Sequence, residues 1–160
     1  MFSLKDLPKK TVFSDYTEAI VEKRVRGLCK KPYYNHPGGC PNFGKRSDCP
    51  PGVPFFDQVY KLQVRVVAVG LNFKEYLKLR RKDHPDWTDR ELRNPLYWQG
   101  YLRACLRNYV SQVNKDGLEV VFNPEAMGVN LTKTCRKVGL KLEWPPRNWV
   151  YKVALLTEKL

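Results

Sequence analysis

Several things are scarce in this 160-residue chain, and each scarcity excludes something. No apolar stretch approaches the ~20 residues that cross a bilayer. The longest, residues 66–71 (VVAVGL), falls far short. The opening MFSLKDLPKK has no apolar core of a secretory leader. A soluble, cytoplasmic protein with no membrane association is therefore expected. Acidic residues are few: 16 Asp and Glu stand against 29 Lys and Arg, a net charge of +13. Such a balance concentrates polyanions and speeds their association, so RNA or another polyanion is the expected kind of partner. No P-loop, GxGxxG or Ser/His/Asp arrangement stands out. Paired C-x₂-C knuckles are also missing, which removes the strongest signature of structural zinc.

Strands alternating with helices are legible along most of the chain. Residues 61–73 (KLQVRVVAVGLNF) are apolar on both faces, as in a central, covered strand. Residues 74–82 read as a helix. Residues 86–93 carry Asp86 or Thr88 as a cap with Asp89 and Glu91 in the first turn. Residues 96–113 are the longest helical pattern, with Leu102, Cys105, Leu106, Tyr109 and Val113 at helix spacing. Residues 118–122 form a short strand, residues 124–127 begin a helical turn, and Asn130 caps residues 131–138, with Gly139 as the stop. Residues 149–156 close the chain as a strand. Residues 19–28 read as a strand or a short helix passing into one. Residues 1–14 read as an arm, and residues 15–160 as one domain. The expected class is α/β or α+β: a small central mixed sheet of about four strands covered by helices, with a long metal-binding loop.

That loop spans residues 29–54 and holds six of the 12 prolines and four of the 10 glycines. A stretch so long without periodicity needs something internal to order it. Three of the five cysteines lie in it: Cys29, Cys40 and Cys49. An odd number of cysteines with no leader argues against a disulfide framework. Cys40 and Cys49 are each followed by proline, which holds the turn after a ligand rigid, and a Cys-Pro step also closes a familiar iron–sulfur ligand run. Cys135 and Cys105 are the candidates for a fourth ligand. Cys105 sits in the apolar stripe of the long helix, where a thiol behaves as a small hydrophobe. Cys135 has cationic neighbours that favour a thiolate, and it is preferred. His36 is an alternative ligand, completing a Cys₃His set that zinc accepts.

The segment CPNFGKRSDCPP from Cys40 onward resembles the first signature of a family described as predicted metal-binding proteins, domain of unknown function 2284. NPEAMGVN from Asn123, followed by TKTCRKVG from Thr132, resembles its second, and the closing WVYKVALL resembles its last strand. The resemblance covers the chain from about residue 20 and implies metal or iron–sulfur binding with no settled activity. Many members carry a further cysteine-rich stretch before the Glu-Ala-Met-Gly motif. Residues 112–122 have no cysteine here, which leaves a single site.

Between residues 73 and 107, cations interleave with aromatics, as in single-stranded RNA recognition. Arg80, Arg81, Lys82, Arg90 and Arg93 are the candidate nucleic-acid contacts, while Leu96, Tyr97 and Tyr101 sit at core-like spacing. Two functions follow. In the first, a single cysteine-ligated iron–sulfur cluster (4Fe–4S favoured) acts in redox or sulfur chemistry on an anionic partner such as RNA. In the second, zinc stabilises a non-enzymatic basic module that binds nucleic acid or an acidic protein.

Overall fold

The computed structural model describes residues 1–31 and 37–160. The strands are β1 (Lys9–Glu18), β2 (Gln63–Asn72), β3 (Glu119–Val121) and β4 (Trp149–Thr157). The α-helices are α1 (Phe56–Val59), α2 (Phe73–Asp83), α3 (Asp89–Leu92), α4 (Gln99–Gln112) and α5 (Leu131–Arg136). The fold is mixed α/β, a four-stranded sheet flanked by helices, in the order β1-β2-β4-β3. The sheet is antiparallel throughout, which corrects the expected mixed sheet. At one end of the β1–β2 pair the Ala19 amide donates to the Leu62 carbonyl, and at the other the Asn72 amide donates to Pro8. The β2–β4 pair is flanked likewise by Lys61 to Glu158 and by Phe73 to Asn148, and β3 aligns Val120 with Leu156.

β2 has a partner on each side, and its residues Val66–Leu71 are all buried, which explains its apolar run. β1 is an edge strand and largely exposed or half-buried, so its residues are free to be polar. This corrects the reading of residues 1–14 as an arm: the expected boundary at residue 14 falls inside β1. The Ser14 hydroxyl accepts from the Val66 amide at 2.8 Å, and Arg65 donates to the Ser14 carbonyl at 2.8 Å. The sequence leaves residues 19–28 open to a strand or a short helix passing into one; from Lys23 the chain is a 3₁₀ helix, Lys23–Lys30.

The chain divides into two compact units, each built from three separate stretches. The first comprises Met1–Val12, Ala68–Val113 and Leu142–Val153. Its core gathers Phe73, Tyr76, Leu92, Trp98, Leu102 and Leu106, with the Phe73 ring stacked on Tyr76 and edge-on to Trp98. The second comprises Phe13–Val67, Asn114–Lys141 and Ala154–Leu160. It buries Phe56, Val64, Val66, Val129, Leu131, Leu155 and Leu156 and carries the cysteine loop. Among the described residues no helix is long and apolar enough to cross a membrane.

Candidate metal centre

The centre is assembled within the second unit, and its foundation is the segment that leaves β1. The Ile20 amide donates to the Thr134 hydroxyl at 3.1 Å, and the Ile20 carbonyl accepts from the Asn130 amide at 2.7 Å. Val21 pairs with Val129, and the Glu22 amide donates to the Gly128 carbonyl at 2.7 Å. The Glu22 carboxylate accepts from Lys133 at 2.6 Å, and also from Arg24 and Asn130. Those three donors, Lys133 first, hold its pKa down to about 2. The 3₁₀ helix Lys23–Lys30 starts from this clamp and packs on the 3₁₀ turn Pro124–Met127. Cys29 sits near its end.

Backbone hydrogen bonds, some local and some closing longer loops, place the other two loop thiols. The Cys40 amide donates to the Cys29 carbonyl at 2.7 Å. That approach needs Gly39, which has φ +90. A Cβ on Gly39 would lie 2.5 Å from the Cys29 carbonyl oxygen and 2.6 Å from the Lys30 carbonyl carbon. The Phe43 amide returns to the Cys40 carbonyl, and Gly44, at φ +75, donates to the Pro50 carbonyl at 2.7 Å. The Cys49 amide donates to Arg46, and the Cys49 carbonyl accepts from Val53. Backbone bonds among turns of this kind compensate for the missing helix and strand ladders.

All five cysteines are free thiols. Burial pushes the Cys29 thiol up, and the neighbouring Cys40, Cys49 and Glu125 push it further, against the opposing charge of Arg26. Cys49 is raised by burial first, then by Asp48, with Cys40 adding to the effect. The three loop thiols are therefore electrostatic neighbours, as their clustering in the sequence predicts. Cys135, on α5, is fully buried. Burial and then Glu125 push its thiol up to about 12. This corrects the expectation that basic neighbours favour a Cys135 thiolate: dehydration of the buried sulfur outweighs the charges of its exposed sequence neighbours. Glu125 stands near both Cys29 and Cys135, and the sequence reading did not single it out beyond its place in the Glu-Ala-Met-Gly segment. Cys105 lies on α4 in the first unit, half-buried beside the stripe of Leu102, Leu106 and Val110. His36 lies outside the described residues.

In donor chemistry this set fits a thiophilic metal. The raised thiols of Cys29, Cys49 and Cys135 stay protonated until a cation takes the proton's place, and coordination deprotonates a thiol outright. As placed, no three His, Cys, Asp or Glu side chains among the described residues stand close enough to hold an ion.

The basic segment of the first unit is largely engaged with its own chain. The Arg80 guanidinium lies over the rings of Phe2, Tyr76 and Tyr97. Arg81 pairs with Asp89 at 3.9 Å. Arg93 pairs with Asp89 at 2.9 Å and donates to the Pro146 carbonyl. Lys82 and Arg90 are exposed on α2 and α3. Leu96 is 78% exposed and Tyr97 37% exposed, which corrects their core-like reading. Both sit in a 3₁₀ turn, Pro95–Tyr97, that ends before α4 begins at Gln99, so neither continues the α4 stripe. Compared with family models, curated proteins and solved structures, the chain matches none.

Proposed function

We propose that this chain is a metal-binding protein whose centre is a single iron–sulfur cluster, 4Fe–4S favoured, held by Cys29, Cys40 and Cys49 with Cys135 as fourth ligand. The observation that carries this reading is the Cys40-to-Cys29 backbone bond in a loop whose three thiols are electrostatic neighbours. The resemblance to the predicted metal-binding family points the same way. A bound cluster would supply electron transfer, or an iron open to a substrate atom. The net charge of +13 supports an anionic partner such as RNA, with Arg81, Lys82 and Arg90 as the exposed members of the basic segment.

A second reading, zinc stabilising a basic binding module, is favoured by Asp48 and Glu125, whose carboxylates neighbour the thiols. Zinc accepts oxygen as well as sulfur donors. Anaerobic purification with iron, zinc and acid-labile sulfide analysis separates the two. Brown protein with iron and sulfide supports the cluster, and colourless protein with one equivalent of zinc supports the module. Anaerobically purified protein with neither metal refutes the centre. For the polyanion, binding should weaken steeply with salt as counterions are released. An affinity that is the same at low and physiological salt refutes it.

A further inference from the structure

A cavity of about 250 Å³ opens beside the cysteine turns, wholly within the second unit. Lys23, Arg26 and Lys30 contribute to it from one 3₁₀ helix, and the rings of Phe43 and Phe55 face it from the loop and from the residue before α1. None of the described residues lining it is acidic. Its cations rest on its aromatic faces. Lys30 Nζ lies 4.9 Å above the Phe43 ring, the Arg26 guanidinium 4.4 Å above Phe55, and Lys23 Nζ 5.3 Å from Phe55. Lys23 and Lys30 are exposed while Arg26, Phe43 and Phe55 are half-buried, and such cation–ring contacts are weak enough for a better partner to displace.

Charge, shape and size together define that partner. One carboxylate satisfies a single guanidinium, whereas three convergent cations match the charge of nearly −2 on a phosphate monoester. Two aromatic faces match a flat ring that stacks. The volume lies just below the range of about 300–1,000 Å³ for drug-sized pockets, a size that suits one small molecule. We propose that this cavity binds a mononucleotide-sized phosphate ester of a flat heterocycle, with Arg26, Lys23 and Lys30 on the phosphate and Phe43 and Phe55 on the ring. Lys30 directly follows Cys29, and Pro50, which also lines the cavity, directly follows Cys49. A bound nucleotide therefore lies next to the cysteine turns, the position of a substrate or effector of the proposed centre.

The inference goes beyond the metal reading, and binding does not require it. The test is calorimetric titration of the full chain with AMP, on protein whose metal content is measured in the same preparation. AMP should bind in the micromolar range. Lys23→Ala/Lys30→Ala should weaken it about tenfold or more, the loss expected for charge-assisted hydrogen bonds. Both residues are exposed, so that variant folds. Phe43→Leu should weaken it about tenfold through lost stacking, while Lys141→Ala should change nothing. Adenosine and inorganic phosphate should each bind more weakly than AMP. Three results overturn the proposal: no AMP binding, unchanged affinity in the double-lysine variant, or a single-stranded hexaadenylate that binds where AMP does not. Metal-loaded protein that ignores AMP refutes the cavity alone, and AMP-binding protein that never holds metal refutes the centre alone.

Discussion

Replacing Gly39 by alanine is the sharpest probe of how the cysteine turns are held. At φ +90 an L-residue costs about 1–2 kcal/mol relative to glycine. The new Cβ also meets the Cys29 carbonyl oxygen and two Lys30 backbone atoms, the farthest at 2.7 Å. Backbone cannot swing aside as a side chain does, so the turn must open. The bond from the Cys40 amide to the Cys29 carbonyl is then lost, for about 0.5–1.5 kcal/mol more. Gly44 is the control. It also has positive φ, +75, but a Cβ there meets nothing within 4 Å. Gly44→Ala therefore carries the conformational cost alone. Gly39→Ala should lower stability by about 1.5–3.5 kcal/mol, or about 3–14 °C in melting midpoint for a chain of this size. It should also lose metal, because Cys40 moves away from Cys29, whereas Gly44→Ala keeps its metal. Differential scanning calorimetry with metal analysis reads both effects. Gly39→Ala with full metal occupancy and a midpoint matching Gly44→Ala would show that the turn does not position the thiols.

Single alanine replacements of Cys29, Cys40, Cys49 and Cys135 should each abolish metal binding, and Cys105→Ala should not. Full metal in the Cys40→Ala variant would end the ligand assignment. Removing metal with a chelator should lower the melting midpoint and expose residues 29–54 to limited proteolysis, since a metal centre contributes on the order of 10 kcal/mol where little packed structure orders the chain. An uncut loop and unchanged midpoint would mean that turns and packing suffice. Gly70→Ala drives a methyl into the Tyr151 ring and should destabilise by about 1–3 kcal/mol in chemical denaturation. Pairing it with Tyr151→Ala should recover part of the loss. Glu143 accepts from the Trp149, Asn148 and Arg147 amides, which with Trp149 foremost hold its pKa down to about 2 from an ordinary 4.5. Because the folded value is depressed, this clip contributes fully above about pH 4.5 and is lost as pH falls toward 2. Tryptophan fluorescence should show Glu143→Gln losing stability at neutral pH and flattening in that acid window.

The sequence determined those elements whose causes are local. β2 announces itself because a central strand must be apolar on both faces. α3 starts at the Thr88 cap and α5 at the Asn130 cap, each accepting from the amide three residues on. Gly139 follows α5 with φ +79, as its stop role requires. The turns at Cys40 and Cys49 have local causes too, since the Phe43 amide returns to the Cys40 carbonyl and the Cys49 amide to Arg46. Non-local partners decided the rest. β1 is polar and reads as an arm, and only hydrogen bonds from a strand some fifty residues later make it an edge. Cys135 looked activated by its neighbours in sequence, yet burial governs its thiol, and burial belongs to the folded core. Arg80 and Arg93 looked free for an anionic partner until folding brought Phe2, Tyr97 and Pro146 against them. Lys23, Arg26 and Lys30 stand on one short helix, and Phe43 and Phe55 lie well downstream. Their convergence on one cavity depends on the closure of turns such as Gly39 against Cys29, which no periodicity in the chain records.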